Sequence, residues 1–259
     1  MTGVKMAAWG ALAGLSLMIL LFSVAEDGQR GQLLRPGVEA SQPQSSAAVD
    51  MPMYNPPPRG APGGRVGGSS RGIDGGGDER LPVLAVLAPD HTGLTVQEQP
   101  AIYWYLSKST TYPIELTIID NQTIQPLVEQ RISGPIQPGV QRVQLADYDL
   151  HLSPGVPYRW SVALVVDPEN RSRDILAGGF IERIALPETL QAQLAGASKA
   201  RIPFIYAEAG LWYDSLAAIS ELIDAAPNNP SLRNQRASLL EQVQLAEVAQ
   251  YDMRLHSAK

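Results

Sequence analysis

The sequence contains no cysteine and only three histidines among its 259 residues. The lack of thiols excludes disulfides, thiolate metal centres, cysteine nucleophiles and a lipid-modified N-terminal cysteine. His91, His151 and His256 do not form a His-Glu-x-x-His motif, and the chain has no Gly-x-Ser-x-Gly elbow and no phosphate-binding Gly-Lys-Ser/Thr sequence. We therefore expect a protein that is not an enzyme and that binds no cofactor.

Positive charge is also scarce. Lys and Arg total 20 against 26 Asp and Glu, which gives a formal net charge of −6. A nucleic-acid-binding domain needs a basic stripe that neutralises phosphates. No such stripe occurs in the part of the chain predicted to fold, so nucleic acid is not an expected partner.

A long apolar run occurs at the N-terminus. Lys5 precedes the uncharged residues 6–22, and the small residues Ser23 and Ala25 follow before Glu26. This order predicts a signal peptide over residues 1–25. An uncleaved membrane anchor is the alternative, because the run is at the lower edge of the length that spans a bilayer. Either interpretation predicts export to the periplasm or cell envelope, with membrane contact only through residues 6–22 if the segment is uncleaved.

Glycine and proline concentrate in residues 26–80, which contain 12 Gly and 7 Pro. A segment with so little apolar surface cannot offset its ordering entropy, which predicts a disordered linker that acts as a spacer. In the alternative interpretation, the arginines of its second half contact an anionic partner such as lipid headgroups or a cell-wall polymer. These residues are Arg59, Arg65, Arg71 and Arg80.

The period of the apolar residues becomes two from residue 81 to residue 186. After Pro154-Gly155, residues Tyr158, Trp160, Val162 and Leu164 alternate with polar or small residues, as in a strand that begins with a tyrosine corner. Seven short strands are predicted, at Pro82–Leu87, Ala101–Leu106, Tyr112–Ile119, Ile124–Ile132, Val140–Ala146, Tyr158–Val166 and Ile175–Ile184. They predict an immunoglobulin/fibronectin-like antiparallel β-sandwich domain over residues 81–186.

Residues 187–259 have the period of helices. Helices are predicted from Pro187 to Ala197, at Pro203–Ala209, from Gly210 to Pro227 and from Pro230 to Tyr251. The segment 196–229 resembles half of a tetratricopeptide repeat, on the positions of Gly210, Trp212, Ser215, Ile219, Leu222 and Pro227. A solenoid needs about three repeats. The single unit therefore predicts a C-terminal helix bundle or hairpin that packs on the sandwich.

Residues 59–250 resemble a cyanobacterial family known as domain of unknown function 928. The resemblance rests on the runs Arg59–Arg65, Gly72–Pro89, Gly93–Trp104, Tyr158–Trp160, Asp167–Asp174 and Tyr206–Asp214. It implies an exported protein of a bacterial envelope. It supplies no activity, substrate or catalytic residue.

The loop from Asp167 to Asp174 is one candidate site. Its oxygen-bearing side chains Asp167, Glu169, Asn170 and Asp174 are of the kind that calcium prefers. Arg171 and Arg173 lie among them and favour local ion pairs instead.

Tyr103 and Tyr105 form a second candidate, because they lie on the strand face opposite Trp104. Exposed, they would form a partner surface that stacks on sugar rings or anchors a protein. In the alternative interpretation the C-terminal helices cover them.

The sequence as a whole favours an exported, non-enzymatic envelope protein that binds an unidentified envelope protein or polymer. One alternative is a sugar-active hydrolase with carboxylates such as Glu129, Asp147 or Asp149. The other is a purely structural spacer. Five residues are expected to serve the scaffold: Tyr158, Trp160, Gly210, Trp212 and Pro227.

Overall fold

In the part of the chain that the structure describes, eight strands form two sheets, and five helices follow them. The computed structural model describes residues 50–58, 65–67, 81–120 and 125–257. The strands are β1 Leu84–Val86, β2 Gly93–Thr95, β3 Ala101–Leu106, β4 Ile114–Asp120, β5 Val128–Ile132, β6 Gly139–Gln144, β7 Pro157–Leu164 and β8 Ile175–Arg183. The helices are α1 Glu188–Ala195, α2 Ile202–Glu208, α3 Trp212–Ala225, α4 Pro230–Gln242 and α5 Ala246–Ser257.

The two sheets differ in size. Strands β1, β3 and β6 form a three-stranded sheet in that order, and the order of the five-stranded sheet is β2-β8-β7-β4-β5. Neighbouring strands run antiparallel except for β2, which pairs with β8 in parallel. The chain is therefore a mixed, β-rich fold with a helical tail.

Strand β7 lies at the centre of the larger sheet. Its residues Tyr158, Trp160, Val162 and Leu164 are buried, whereas Arg159 between them is exposed, because successive side chains of a strand point to opposite faces. Ser153 lies five residues upstream of Tyr158, and its backbone N–H donates a 3.0 Å hydrogen bond to the Tyr158 hydroxyl. This bond fixes the loop that leads into the strand.

Strand β2 was not predicted. It has three residues, all buried, and a run this short shows no alternation of apolar and polar side chains. Only its partner β8, far away in sequence, makes it a strand.

The predicted helix from Pro230 to Tyr251 is wrong as a single element, because the chain turns between α4 and α5. Gln244 has a φ of +61°, and its N–H donates to the carbonyl of Glu241. The N–H of Leu245 donates to the carbonyl of Leu240, which completes a Schellman turn. Glycine usually marks such a turn, and this one lacks it.

The two sheets and the helices share one hydrophobic core. Buried residues of both sheets form a single cluster with buried residues of α2, α3, α4 and α5. Leu190 of α1 packs in a smaller cluster with Leu94 and Leu211. The helical tail is thus part of the fold and not an appendage to it.

Two pieces of the predicted spacer also belong to this fold. In residues 50–58, Tyr54 is 7% exposed and joins the main core. Val66, in residues 65–67, forms an antiparallel bridge with Gly178 of β8. The prediction of a disordered spacer is therefore wrong for these pieces. The rest of residues 26–80 and the predicted signal segment 1–25 lie outside the described residues, among which no helix is long and apolar enough to cross a bilayer.

Candidate functional site

The loop candidate is a set of ion pairs. Arg171 pairs with Asp174 at 2.6 Å and with Glu115 of β4, and Arg173 lies 3.7 Å from Asp167. The Asp167 carboxylate also accepts the backbone N–H of Glu169 at 3.1 Å. The arginines therefore engage Asp167 and Asp174, two of the carboxylates that were candidates for calcium.

Asn170 of the same loop accepts a hydrogen bond from the Ser172 hydroxyl at 2.6 Å. Across the described part of the chain, no three His, Asp or Glu side chains gather in a way that could hold a metal ion.

The tyrosine candidate is wrong as an exposed partner surface. Tyr103 and Tyr105 are only 3% and 1% exposed. The ring of Tyr105 packs edge-on against Tyr251 of α5, with centroids 5.2 Å apart. Burial raises the pKa of Tyr103, and a hydrogen bond with Ser220 of α3 lowers it in part. The helices cover this face because the outer side of β3 carries aromatic rings that would otherwise meet water.

The carboxylates of the hydrolase alternative lie apart from any described cavity. Glu129 and Asp147 are exposed, on β5 and in the turn after β6. Asp149 contacts His151 at 3.3 Å, and His151 lies 3.0 Å from Glu98. Hydrogen bonding to Glu98, and then to Asp149, raises the pKa of this exposed imidazole.

The predicted scaffold tryptophans join the sandwich to α3. The indole N–H of Trp160 donates to the hydroxyl of Tyr213 at 2.9 Å, and that hydroxyl donates to the carbonyl of Phe180 at 2.9 Å. The indole N–H of Trp212 donates to the carbonyl of Leu87 at 2.8 Å. All three bonds join α3 to the β-rich part of the chain, so they fix this helix on the sheets.

Residues 50–58, which we call the strap, lie across the helices. The N–H of Asn55 donates to the carbonyl of Ala207 at 3.0 Å, and Tyr54 packs edge-on against Trp212. Gly210 has a φ of +74°, and a Cβ there would lie 2.7 Å from the Asn55 carbonyl oxygen. Glycine at this position therefore both ends α2 and leaves room for the strap.

Polar bonds hold the strap and the piece that follows it. The Tyr54 N–H donates to the side-chain oxygen of Gln242, whose amide donates back to the carbonyl of Pro52. Arg65 donates to the carbonyl of Ala88 at 2.9 Å and to that of Val243 at 2.8 Å. Its guanidinium thus links the sandwich to the end of α4.

A cavity of about 360 Å³ lies between the β-rich part of the chain and helices α2 and α3. We call it the junction cavity. Ile202, Ala217 and Ala218 supply apolar wall on the helical side, and Pro100 and Ala101 do so on the sandwich side. The polar lining consists of Gln97, Gln99, Gln144, Tyr206, Asp214 and Glu221. Its volume is within the range of small-molecule sites.

Asp214 is the buried acid of this cavity, with 4% of its surface exposed. Its Oδ2 accepts the backbone N–H of Val96 at 3.2 Å, whereas its buried Oδ1 has no hydrogen-bond partner among the described residues. Burial raises the pKa of Asp214 to about 7, although hydrogen bonds with the side chains of Thr95 and Gln97 and with the N–H of Val96 lower it in part. Near neutral pH this carboxyl exists in both protonation states.

Tyr206, Glu221 and Gln97 line the same cavity as this acid. Burial raises the pKa of Tyr206, and the charges of Asp214 and Glu221 raise it further. Glu221 and Gln97 are exposed, and Pro100 and Ala101 are buried. The cavity therefore has a solvent-facing mouth near Glu221 and a floor that contains Asp214. A buried acid with a shifted pKa in a concave pocket marks a functional-site candidate.

Comparison with known proteins identifies the family. The profile described as Domain of Unknown Function (DUF928) matches residues 66–253, which is more than half of the chain. The chain belongs to the DUF928 family. All residues of the junction cavity lie within the matched range, whereas the strap lies before it.

No protein of curated function matches the DUF928 chain. Among solved structures, a multi-domain immunophilin from Arabidopsis thaliana shares 10% identity with it at a TM-score of 0.17. The match covers 66% of this chain and 99% of that one. At this TM-score the likeness carries no conclusion about fold or function.

Sequence reasoning missed Asp214 as a site residue of the DUF928 domain. A signal was present, since Ala217, Ala218 and Glu221 lie three, four and seven residues after Asp214, which places all four on one side of a helix. They form a stripe of acids and small residues on one face of α3. What no spacing shows is that Gln97, Gln99 and Gln144 of the sandwich face this stripe.

Proposed function

We propose that this DUF928 protein is a non-enzymatic binding module that takes a small polar ligand in the junction cavity. One observation carries the proposal: the buried Oδ1 of Asp214, in the lining of a cavity of about 360 Å³, has no hydrogen-bond partner among the residues that the structure describes. An unsatisfied buried acceptor costs about 1–3 kcal/mol, and a ligand that donates to it offsets this cost.

Export to the cell envelope is part of the proposal. It is supported by Lys5, the uncharged residues 6–22 and the small residues Ser23 and Ala25. The ligand is then a component of the envelope, either free or as part of a protein or polymer. N-terminal sequencing of the mature protein tests this point, because a chain that starts at or near Glu26 has lost a signal peptide. A chain that retains residues 6–22 is anchored instead.

We also propose that the sheets form an immunoglobulin/fibronectin-like sandwich. The support is the pairing of β1, β3 and β6 in one sheet and of β5, β4, β7 and β8 in the other. The hydrogen bond from Ser153 to the Tyr158 hydroxyl also fits a tyrosine corner. The resemblance of α2 and α3 to a tetratricopeptide hairpin stays a proposal on the same footing. Gly210 lies between these two helices, and Pro227 follows the second.

The two alternatives fit the contacts less well. A hydrolase needs two carboxylates that flank one bond, about 5–10 Å apart. Glu129, Asp147 and Asp149 lie on the surface and not in the junction cavity. A pure spacer does not need to share a core with the folded part. Here Tyr54 and Arg65, from the predicted linker, contact the core and the carbonyls of Ala88 and Val243.

The test is a ligand screen of the full chain by NMR, with amines, amino acids, sugars and polyols as probes. We expect a binding probe to shift the amide signals of Ala217 and Ala218 and the side-chain signals of Gln97. An A218M variant, which narrows the cavity, should lose binding. The matched control is A225M, the same change at an exposed position of the same helix.

Two results would count against the proposal. One is that no probe class shifts the cavity signals. The other is that A225M weakens binding as much as A218M does.

A further inference from the structure

We infer that the junction cavity selects a primary ammonium group, so that its ligand is an aliphatic amine held by the carboxylates of Asp214 and Glu221. This inference rests on the proposed function, and it names the ligand class. Four observations carry it: an acceptor without a donor among the described residues, the engaged side-chain amide of Gln144, the charges that line the cavity, and the spacing of the two acids.

The first observation is the state of Asp214. Asp214 is more than nine-tenths buried. Its Oδ2 accepts a hydrogen bond from the Val96 N–H, whereas its Oδ1 has no hydrogen-bond partner among the described residues. In the ionised form of Asp214 this oxygen only accepts hydrogen bonds, so a ligand that binds the carboxylate must supply a donor. A charged donor fits best, because hydrogen bonds between ionised groups are roughly twice as strong as neutral ones.

The second observation concerns the side-chain amide of Gln144, one of the three glutamines that line the cavity. The Nε2 of Gln144 donates to the carbonyl of Gln99 at 2.7 Å, and its Oε1 accepts from Arg142 at 2.7 Å. Both ends of this side chain are therefore engaged. A sugar needs donors as well as acceptors from its site, whereas an ammonium group needs acceptors only. The carboxylate oxygens of Asp214 and Glu221 are acceptors that an ammonium group can use.

The third observation is the charge of the lining. Its charged side chains are Asp214 and Glu221, and no described residue that lines it is Lys, Arg or His. Arg142 lies outside the lining, where it contacts Gln144. A concave site with acids and no cation concentrates positively charged ligands and repels phosphates and carboxylates.

The fourth observation is the spacing along α3. Asp214 and Glu221 are seven residues apart, which is about two turns or about 10.5 Å of helix rise. Asp214 lies at the buried end of the cavity, and Glu221 lies at its exposed mouth. A short α,ω-diamine places one ammonium group at each acid, whereas a monoamine uses one of them. We therefore expect a diamine to bind more tightly than a monoamine.

The experiment compares matched probes on the full chain by isothermal titration calorimetry and NMR. The probes are 1,4-diaminobutane, butylamine and the neutral isostere 1,4-butanediol. We expect the diamine to bind at least tenfold more tightly than the monoamine, and the diol not to bind. The amides of Ala217 and Ala218 should report the contact. E221Q should reduce diamine binding to the level of the monoamine.

D214N should weaken the binding of both amines at least tenfold. Thermal unfolding of D214N checks its fold, and E221Q keeps the inference testable if D214N does not fold, because Glu221 is exposed. The matched control is D224N, which changes an exposed acid of α3 outside the cavity lining. D224N should bind the diamine as the wild type does.

The outcomes separate the inference from the proposed function. If the diol, or a sugar or polyol of the screen, shifts the cavity signals and the amines do not, the inference is wrong and the binding site stands. If no probe shifts them, both are wrong. If D224N weakens the diamine as much as E221Q does, the effect is surface charge, and the inference is wrong.

Discussion

The indole nitrogen of Trp160 lies 2.9 Å from the hydroxyl oxygen of Tyr213, and this hydrogen bond joins the centre of the larger sheet to helix α3. Both side chains are buried, at 0% and 1% exposed, and the same hydroxyl donates to the carbonyl of Phe180. Burial also raises the pKa of Tyr213 well above its ordinary value, so the hydroxyl keeps its proton. One phenol oxygen thus satisfies two buried groups of the sandwich.

The first prediction concerns this oxygen. Y213F removes the hydroxyl and leaves the Trp160 N–H and the Phe180 carbonyl without this partner. We expect the free energy of unfolding to fall by about 1–3 kcal/mol for each buried group left unpaired. Urea denaturation measures the change. The control is Y112F, at a tyrosine that is 39% exposed, and a loss of equal size there would contradict the assignment.

The second prediction separates strain from contact at Gly210. G210A and G155A both place a side chain at a positive φ, of +74° and +73°, which costs about 1–2 kcal/mol. Only G210A also places a Cβ 2.7 Å from the Asn55 carbonyl oxygen, because Gly155 faces open space. We expect G210A to be the more destabilised of the two by urea denaturation.

Hydrogen exchange checks the same contact directly. The Asn55 amide should exchange faster in G210A and not in G155A, because only Gly210 contacts the strap. Equal effects of the two substitutions would show that the strap does not depend on this glycine.

The third prediction concerns the buried ion pair of the helices. Arg236 donates two hydrogen bonds of 2.6 and 2.7 Å to Asp252, whose side chain is 0% exposed. R236M leaves that carboxylate with Arg233 at 3.8 Å. We expect a loss of about 3–5 kcal/mol, since a buried charge without its partner is costly.

The control for this ion pair is R201M, because Arg201 pairs with Asp50 and Glu208, both more than half exposed. Exposed pairs contribute about 0–1 kcal/mol. Chemical denaturation of the two variants measures the difference. Similar losses for R236M and R201M would be the contrary result.

The fourth prediction is a pH dependence from Asp214. Its pKa is about 7 in the folded chain and 3.8 for the ordinary group, so between these values the folded state holds a proton that the unfolded state has lost. The stability contributed by this group is therefore complete below pH 4, falls as pH rises to 7, and is constant above it. Three pH units correspond to about 4 kcal/mol.

D214N keeps the shape of the side chain and removes its titration. The difference in unfolding free energy between wild type and D214N should therefore change steeply from pH 4 to pH 7, with the wild type losing relative stability. Denaturation at each pH measures it, and other titrating groups cancel in the difference. A flat difference across this range would contradict the burial of an ionisable acid here.

Strand β3 shows what could be predicted. Its bounds, Ala101 to Leu106, follow from the alternation of Ile102 and Trp104 with Tyr103 and Tyr105. The same pattern led to the wrong prediction that Tyr103 and Tyr105 are exposed. Both faces of this strand are covered, so its side chains alternate in direction while all of them are buried. Which second layer covers the tyrosines depends on helices more than a hundred residues away.

The sequence by itself determined the local elements of this protein: a β-rich part, a helical tail and the Tyr158 strand. These follow from neighbouring residues, because strand and helix periods are short-range properties. Only the tertiary structure decided that Tyr54 belongs to the core, that Arg65 bonds to Ala88 and Val243, and that Asp214 lines one cavity with three glutamines. Burial of a charge depends on residues brought together from distant parts of the chain, and no local pattern contains that information.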